Sequence, residues 1–436
     1  PNGDKVGGAG FTASKNDPCL FYKKQGRNIM WTCVYVDDMM MTGDAGMIDE
    51  FMKIIDKKTG GRYAIRDLGT PKNFLGMEID RSEDGKSVKL TCTRYIENIA
   101  KKYDCVSCGK TKVPMMEKLS TEDQAPGGST VDPTYYRGIV GSLLWASITC
   151  RPDIAFTVKE LSRFLVSPLQ KHLSAAKRCL QYLHETRDTG LVYSTDAVSE
   201  ELRNKPTMYQ HREWSSRPVN KPHGYSDADW AGEIPGRKST SGYVFMLNGA
   251  AISWSSRSQS VVALSTTEAE YYALCEATKE ALFVRKMLAE LKQITEAEQI
   301  LIFEDNHACA KWSENDGLDH TRTKHIDIRY HMIRDNVKKM NIHIELCPTQ
   351  EMVADIMTKP LGPDLHVRTT LKMMGYSNVM SRPGDKLSGA LIRGEVPSPT
   401  LPKPGVVVSS DEDFCEPIPV DYVELVMAAA CAWSCV

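Results

Sequence analysis

The chain has 436 residues, of which 42% are hydrophobic and 25% charged, the ordinary mix of a protein that buries a substantial core. This length suggests two or three domains, and the net charge of −2 excludes a globally basic protein, so any basic surface must be local. No apolar run reaches the roughly 18–20 residues that span a bilayer, and no signal sequence opens the chain. We therefore expect a cytoplasmic, non-secreted protein with no membrane partner, whose thirteen cysteines are reduced thiols.

Two adjacent carboxylates near the start of the chain form the first candidate site. Asp37 and Asp38 follow Tyr35-Val36 and have an apolar run on either side, which predicts a β-hairpin with both acids at its turn. Carboxylate oxygens are the ligands that Mg²⁺ prefers. The hairpin is therefore a candidate metal site.

The rest of the first half predicts an α+β layer and then helices. Hydrophobic spacing predicts helices over 45–58 and 93–103 and strands over 63–67, 73–81 and 87–92. One later helical stripe is formed by Ile139, Val140, Leu143, Leu144 and Ile148. We divide the chain into a frayed N-terminus (1–18), an α+β domain (19–104), a linker (105–134), a helical connection (135–193), a polar insertion (194–222), a second α/β domain (223–362) and a largely disordered tail (363–436).

Four acids of the second α/β domain occupy distinct positions in its predicted elements. The pattern predicts three strands, a helix, a strand, two helices, a strand and a short last helix. The acids lie in the first strand, the first helix, the fourth strand and the last helix, and they are Asp227, Glu270, Asp305 and Asp355. Asn248-Gly249 between apolar runs predicts a hairpin within the three-strand meander. Four clustered carboxylates would repel one another unless metal ions neutralise them, as in two-metal hydrolysis.

Two neighbouring acids are alternatives to the selected set. Ser265 and Glu268 have capping-box spacing, so Glu268 is predicted to cap the helix and to leave Glu270 free in its first turn. Asp229 is a similar alternative to Asp227. The sequence leaves the choice between Glu268 and Glu270 open, and we select Glu270.

Several segments resemble the Ty1/copia-type retrotransposon Pol polyprotein family. The matching segments are 35–38, 74–79, 136–143, 151–154, 226–230, 237–243, 267–271, 305–306, 322–331 and 354–361. The resemblance extends from about residue 18 to 362 and does not cover the tail. It implies an α+β / α/β chain: a partial reverse-transcriptase palm and connection, followed by a ribonuclease H-like mixed five-stranded sheet with flanking helices.

The resemblance also implies roles for the acids. Asp227, Glu270, Asp305 and Asp355 correspond to the ribonuclease H ligands of two Mg²⁺ ions, for which Mn²⁺ is an alternative. Asp37 and Asp38 correspond to the acidic pair of the polymerase palm. An earlier palm strand with its own Asp is absent, and only Asp4 and Asp17 precede the hairpin. We therefore expect Asp37 and Asp38 to be a vestigial polymerase site and this chain not to polymerise DNA.

A basic segment before the last strand is the predicted nucleic-acid contact. Arg322, Lys324, His325 and Arg329 lie in or near a helix that begins at about Lys324, where they could hold phosphates. A solvated helix face is the alternative on pattern alone, and the resemblance favours the contact. In some ribonucleases H, a His-bearing loop just before the last acid helps product release, but residues 347–351 contain no His, so turnover is expected to differ.

The leading hypothesis is a ribonuclease H-type endonuclease that cleaves the RNA strand of RNA–DNA hybrids. The first alternative is a non-catalytic remnant that binds nucleic acid. The second is a fragment of a longer Pol polyprotein with an active RNA-directed DNA polymerase. The expected partners are an RNA–DNA hybrid and the remainder of the polyprotein, and the expected location includes virus-like particles when the element is active.

Overall fold

The computed structural model describes residues 5–6, 10–83, 85–106, 111–120, 131–194, 221–232, 236–314 and 324–376. None of the helices in these ranges is both long enough and apolar enough to cross a membrane. The nine cysteines in these ranges are all free thiols, as expected for a chain without a disulfide framework.

The first sheet is antiparallel and contains the acidic hairpin. Its strands, in spatial and chain order, are β1 (Lys5–Val6), β2 (Phe11–Ala13), β3 (Leu20–Gln25), β4 (Asn28–Tyr35) and β5 (Asp38–Gly43). Helix α1 (Ala45–Ile55) begins where the side chain of Asp44 accepts the Met47 N–H, and it buries Phe51 against Phe11. The predicted hairpin is present, with Tyr35 paired to Asp38. Residues 5–18 also contain strands, so the predicted frayed start is wrong for this part.

The second sheet joins distant parts of the chain. Its antiparallel strands are β6 (Asn73–Phe74), β7 (Met77–Arg81), β8 (Ser87–Thr91) and β9 (Leu191–Ser194), and helix α2 (Thr93–Lys102) follows β8. The strand predicted over 73–81 is interrupted because Leu75 and Gly76 both adopt positive φ and form a tight turn. The strand predicted over 63–67 is wrong, since only Tyr63 makes an isolated bridge, to Asp56.

The connection is helical, as its apolar stripes predict. It contains α3 (Pro133–Thr149), α4 (Ala155–Ser162) and α5 (Gln170–Glu185). Ile139, Val140 and Leu143 are buried, whereas Leu144 of the predicted stripe is exposed. Asp132 caps α3 by accepting the N–H groups of residues 134 and 135. Helix α3 therefore begins inside the predicted linker.

The third sheet carries the four acids. Its elements are β10 (His223–Asp229), β11 (Thr240–Leu247), β12 (Ala250–Ser258), α6 (Thr266–Glu290), β13 (Ile300–Glu304), α7 (His307–Glu314), α8 (Lys324–Lys338), β14 (Ile342–Leu346) and α9 (Asp355–Thr358). The spatial order is β12-β11-β10-β13-β14. The first three strands pair antiparallel, and β13 pairs in parallel with both β10 and β14. The predicted element order and the mixed five-stranded sheet are present.

A last helix corrects the predicted tail. Helix α10 (Pro363–Met373) starts with Pro at a position where its missing N–H costs nothing, and it buries Val367, Leu371 and Met373. Its end is tied in because Met374 accepts the Val192 N–H at 2.9 Å. The boundary at 363 is therefore wrong: the apolar spacing of this helix was masked by the prolines that follow it. Residues 377–436 of the predicted tail, and 195–220 of the predicted insertion, lie outside the described residues.

Direct contacts hold the third sheet against the rest of the chain. The indole of Trp254 on β12 donates to the Ser147 carbonyl of α3 at 2.8 Å. At the far end of α6, Glu290 accepts the hydroxyl of Ser14 at 2.7 Å. Strand β12 and the C-terminal end of α6 are thus each held by a hydrogen bond to an earlier part of the chain.

Candidate metal centre

Three of the predicted acids converge. One carboxylate oxygen from each of Asp227, Glu270 and Asp305 lies within 4.8 Å of the other two. Asp227 lies on β10, Glu270 is the fifth residue of α6, just beyond the predicted first turn, and Asp305 directly follows β13. Asp227 and Glu270 are buried, and Asp305 is half-buried. Because β10 and β13 are neighbours in the sheet and α6 packs against both, residues far apart in sequence meet at one point.

Asp355 lies beside this group of three. It is the first residue of α9 and is buried. Its Oδ1 lies 2.8 Å from Nζ of Lys359, and that ammonium group is also 4.0 Å from Oδ2 of Asp227. Burial and then the negative charge of Asp227 raise the pKa of Asp355 to about 7. Lys359 therefore supplies the positive charge between two of the predicted ligands.

A glycine allows α9 to reach the sheet. Gly242 pairs with Asp227 across β10 and β11, and a Cβ at this position would lie 2.6 Å from Cβ of Met357 and 2.8 Å from Cγ2 of Thr358. Without a side chain at 242, the helix packs close enough for the Thr358 hydroxyl to donate to Oδ2 of Asp227. The same approach brings Asp355 next to the three converging acids.

The electrostatics of the cluster are unfavourable without a cation. Burial, followed by the charges of Glu304, Asp227 and Asp305, raises the pKa of Glu270 to about 11. Burial and then Asp227 also raise the pKa of Asp305. Each group is thus held toward its neutral form by desolvation and by like charge.

Sequence analysis missed a fifth acid, Glu304. It ends β13, is fully buried, and its pKa is raised well above the usual range, first by burial. Its Oε1 accepts the Asn306 N–H at 3.2 Å, and its Oε2 has no hydrogen-bond partner among the described residues. The signal was available: an apolar run of four residues indicates a strand buried on both faces, so the next residue is buried too.

The two alternative acids are occupied elsewhere. Glu268 accepts the Leu264 N–H at 2.7 Å, and its own N–H donates to Oγ of Ser265 at 3.1 Å, so the predicted cap is present. Asp229 forms an ion pair with Lys118 from the predicted linker. Each contact satisfies a carboxylate away from the converging group, which favours Glu270 and Asp227 as the ligands.

The converging acids fit a divalent cation of the magnesium type. Asp227, Glu270 and Asp305 offer carboxylate oxygens, which are the donors that Mg²⁺ and Mn²⁺ take. Oε2 of Glu270 is buried and has no hydrogen-bond partner among the described residues, so it is free to bind a cation. A bound cation would offset the repulsion that raises these pKa values.

The hairpin acids have a different setting. Asp37 and Asp38 are both exposed at the turn. Among the described residues, the only group of three acids close enough to share a metal ion is the one in the third sheet. Asp17 is buried in the loop before β3, where its Oδ1 accepts the Cys19 N–H at 2.7 Å. Asp4 lies outside the described residues, so the structure gives the hairpin acids no third partner within the part it covers.

The predicted nucleic-acid contacts are only partly described. Arg322 lies outside the described residues, and Lys324 and His325 lie in the first turn of α8, where their side chains are not described. The guanidinium carbon of Arg329 lies 4.0 Å from the ring centre of Tyr272 on α6. Arg329 therefore helps to pack α8 onto α6 by a cation–π contact, and its predicted phosphate contact stays a prediction.

Sequence relatives cover most of this chain. Residues 5–117 match a family model described as reverse transcriptase (RNA-dependent DNA polymerase). The Pol polyprotein from transposon TNT 1-94 of Nicotiana tabacum is 34% identical over 358 residues, which is 80% of this chain and 25% of that protein. The putative transposon Ty5-1 protein YCL074W of Saccharomyces cerevisiae is 30% identical over 62% of this chain and 80% of its own length. The chain thus spans about a quarter of the full-length Pol polyprotein it matches.

Among solved structures, LC11-RNase H1, isolated from compost, aligns with 32% of this chain and 93% of its own at 16% identity and a TM-score of 0.25. One of the sequence relatives is matched over 80% of its own length, which shows the family. The chain belongs to the Ty1/copia-type family of retrotransposon Pol polyproteins.

Proposed function

We propose that the third sheet and its helices form a ribonuclease H-type endonuclease that cleaves the RNA strand of RNA–DNA hybrids. The convergence of Asp227, Glu270 and Asp305, with Asp355 beside them, carries this proposal. Three buried or half-buried acids at one point destabilise a fold that has no use for them, and the pKa values of two of them, Glu270 and Asp305, are raised by burial and by neighbouring charges. A hydrolytic site that holds divalent cations gives them a use.

The proposed ligands are Asp227, Glu270, Asp305 and Asp355, and the proposed cofactor is two Mg²⁺ ions, with Mn²⁺ as the alternative. When bound, such ions activate a water for attack on phosphorus and stabilise the departing oxygen. Because hydrolysis by activated water needs no covalent nucleophile, no serine or cysteine beside the acids is required.

The surrounding residues orient the ligands. The Thr358 hydroxyl donates to one oxygen of Asp227, which leaves the other oxygen for a cation. Lys359 holds Asp355 at 2.8 Å and limits its repulsion from Asp227. These contacts hold the ligand set close together before a cation binds, and pre-organisation of this kind lowers the cost of binding.

Selectivity for RNA is proposed to come from 2′-hydroxyl contacts and from the shape of the hybrid. Arg322, Lys324, His325 and Arg329 are the proposed contacts to phosphates, which position the duplex without reading its sequence. Since Arg329 is also packed on Tyr272, only the edge of its guanidinium group would remain for a phosphate.

The test is cleavage of a labelled RNA–DNA hybrid by the purified chain with Mg²⁺. We expect cleavage of the RNA strand, no cleavage of double-stranded DNA, and loss of activity with EDTA or Asp305→Asn. Undiminished cleavage by Asp305→Asn would contradict the proposal. Salt-sensitive binding of the hybrid without cleavage would instead support a non-catalytic, nucleic-acid-binding remnant.

A second candidate function concerns the longer polyprotein. The match to a reverse-transcriptase model over residues 5–117 and the intact hairpin with exposed Asp37 and Asp38 favour a polymerase site completed by sequence upstream of this chain. Primer extension on an RNA template by a chain extended at its N-terminus tests it. Extension that is lost with Asp37→Asn would support this role, and extension that survives would contradict it.

A further inference from the structure

A lysine ammonium group lies between two of the proposed ligands. Nζ of Lys359 is 2.8 Å from Oδ1 of Asp355 and 4.0 Å from Oδ2 of Asp227. The side chains of the two acids are at most 7% exposed, whereas that of the lysine is 36% exposed. The ammonium group therefore neutralises two buried carboxylates while part of its own side chain stays in contact with water.

The backbone fixes where this side chain starts. Lys359 directly follows α9, and its N–H donates to the carbonyl of Asp355 at 3.2 Å. Pro360 comes next, and a proline disfavours helical angles at the residue before it. Lys359 is accordingly extended, with φ −146° and ψ 155°. The lysine is thus held at its backbone, while its four-carbon stem keeps its rotatable bonds.

The contact between Lys359 and Asp355 depends on charge and not on a directed hydrogen bond. Oδ1 of Asp355 is buried and has no hydrogen-bond partner among the described residues, although the ammonium nitrogen lies only 2.8 Å away. Oδ2 of Asp227, by contrast, accepts a hydrogen bond from the Thr358 hydroxyl. A buried carboxylate oxygen without a directed donor remains open to a stronger cation.

The four acids form two groups that share Asp227. The first group is Asp227 with Glu270 and Asp305, whose oxygens lie within 4.8 Å of one another. The second is Asp227 with Asp355, and here the ammonium group of Lys359 lies within 4.0 Å of both members. Two-metal chemistry needs a place for each ion. The second group is therefore a place that already holds a positive charge.

We propose that Lys359 is the resident counter-ion of the second cation position, and that its ammonium group must withdraw before a divalent ion binds between Asp227 and Asp355. This inference rests on the proposed function, because it uses the two-ion site. Like charges repel strongly where little water screens them, so the ion and the ammonium group exclude each other. Lys359 therefore makes the second ion bind more weakly than the first, and it sets the ion concentration at which the site is complete.

The direct test follows the lysine itself by NMR. Reductive ¹³C-methylation labels the lysines and retains their charge, and the signal that is absent from Lys359→Arg identifies Lys359. We expect this signal to move when Mg²⁺ is added to the metal-free chain, in step with the weaker of two binding events measured by calorimetry. Lys339 is the matched control, since it also pairs with the acid four residues before it, Asp335, at 2.7 Å. Its signal, assigned with Lys339→Arg, should stay in place.

The second test measures both Mg²⁺ affinities by calorimetry at about pH 8.5, which limits competition by protons. We expect Lys359→Met to tighten the weaker affinity at least about 10-fold, because it removes a like charge that water only partly screens. Lys359→Arg keeps the charge and should stay near the wild type. Lys339→Met is the control and should change neither affinity, and thermal unfolding of each variant shows that the fold is retained.

The outcomes separate this inference from the proposed function. If two ions bind while the Lys359 signal stays in place, or if Lys359→Met leaves the weaker affinity unchanged, the counter-ion role is overturned and the metal site stands. Equal tightening by methionine and arginine would also overturn it, because the charge would then be irrelevant. If the wild type binds no Mg²⁺, or if Asp305→Asn binds both ions unchanged, the proposed function fails as well.

Discussion

The two acidic sites of this chain differ most in their exposure to water. At the hairpin, Asp37 and Asp38 are exposed and Val36 between the strands is 84% exposed with a positive φ. In the third sheet, Asp227 and Glu270 are at most 7% exposed, and their nearest neighbours include further acids. Both regions contain several carboxylates, but only those near the third sheet are buried beside one another, where their repulsion destabilises the fold.

This difference in exposure determines how strongly each group of acids indicates a metal site. Solvated carboxylates repel weakly because water screens them, so the hairpin can persist whether or not it binds a metal. Buried carboxylates are held toward their neutral forms and destabilise the fold unless a cation or a proton compensates. The buried cluster is therefore the stronger sign of a working metal site.

The largest expected effect is on hybrid cleavage. We expect Asp305→Asn to lower kcat by at least about 100-fold, because a ligand should cost more than the outer partners of a metal site do. Asp37→Asn and Asp38→Asn are the matched controls and should leave kcat unchanged. The measurement is Mg²⁺-dependent cleavage under multiple-turnover conditions with saturating hybrid. A hairpin variant that loses cleavage would overturn the contrast between the two sites.

The pH dependence of the unfolding free energy tests whether the buried carboxylates repel one another more strongly than the exposed ones. Glu270, with a pKa of about 11, and Asp355, at about 7, both lie above their ordinary values, so the folded chain binds protons that the unfolded chain releases. In EDTA, the stability that these protonated groups contribute is complete below about pH 4. It is lost as the pH rises, through both groups up to about pH 7 and through Glu270 above it.

Urea unfolding in EDTA between pH 5 and 9 measures this loss. We expect a falling midpoint for the wild type, a flatter profile for Glu270→Gln, and the wild-type profile for Asp38→Asn. Added Mg²⁺ should restore stability most at the high end, because metal binding requires deprotonated carboxylates. A rising midpoint that Glu270→Gln leaves unchanged would contradict the proposed electrostatics.

Much of the fold follows from local patterns. Periodicity predicts the order of strands and helices around the four acids, and Asn248-Gly249 identifies the β11–β12 hairpin. Prediction fails where local signals conflict. The turn at Leu75-Gly76 is hidden in a strand-like run, and α10 is masked by the proline-rich sequence after it. The contribution of β9 to the second sheet is a long-range pairing that no local pattern contains.

The sequence predicts the converging acids of the candidate site, but it does not predict the residues that contact and orient them. Asp227 is selected from its place in the first strand, Glu270 from a helix start and Asp305 from a strand end. The capping role of Glu268 follows from its spacing to Ser265. Contacts from distant segments do not follow, because their partners are set by tertiary packing. The hydroxyl of Thr358, which donates to Asp227, is one example.

Gly242→Ala should disturb the buried site alone. The added methyl would overlap Met357 and Thr358, and overpacking of this kind costs about 1–3 kcal/mol of unfolding free energy. Because α9 must then move outward, cleavage should fall as well. Gly141→Ala on α3, where a Cβ meets no atom within 4 Å, is the control: it should raise the unfolding free energy by about 0.5–1 kcal/mol, because alanine favours a helix interior, and leave cleavage near the wild type. Chemical denaturation and hybrid cleavage provide the two measurements, and equal behaviour of the two variants would exclude close packing as the reason for glycine at 242.

The smallest effect separates two acids that are neighbours in sequence. Glu268 caps α6, so Glu268→Ala should lower the unfolding free energy by about 1 kcal/mol while Mn²⁺ affinity stays unchanged. Glu268→Gln should behave like the wild type, because glutamine also accepts the capping hydrogen bond. Glu270→Gln should do the opposite: it should lose metal binding and keep the helix cap. Thermal unfolding and Mn²⁺ titration of the three variants measure both properties. If Glu268→Gln lost Mn²⁺ binding, the ligand would be the capping residue, and the distinction between the third and fifth residues of α6 would be wrong.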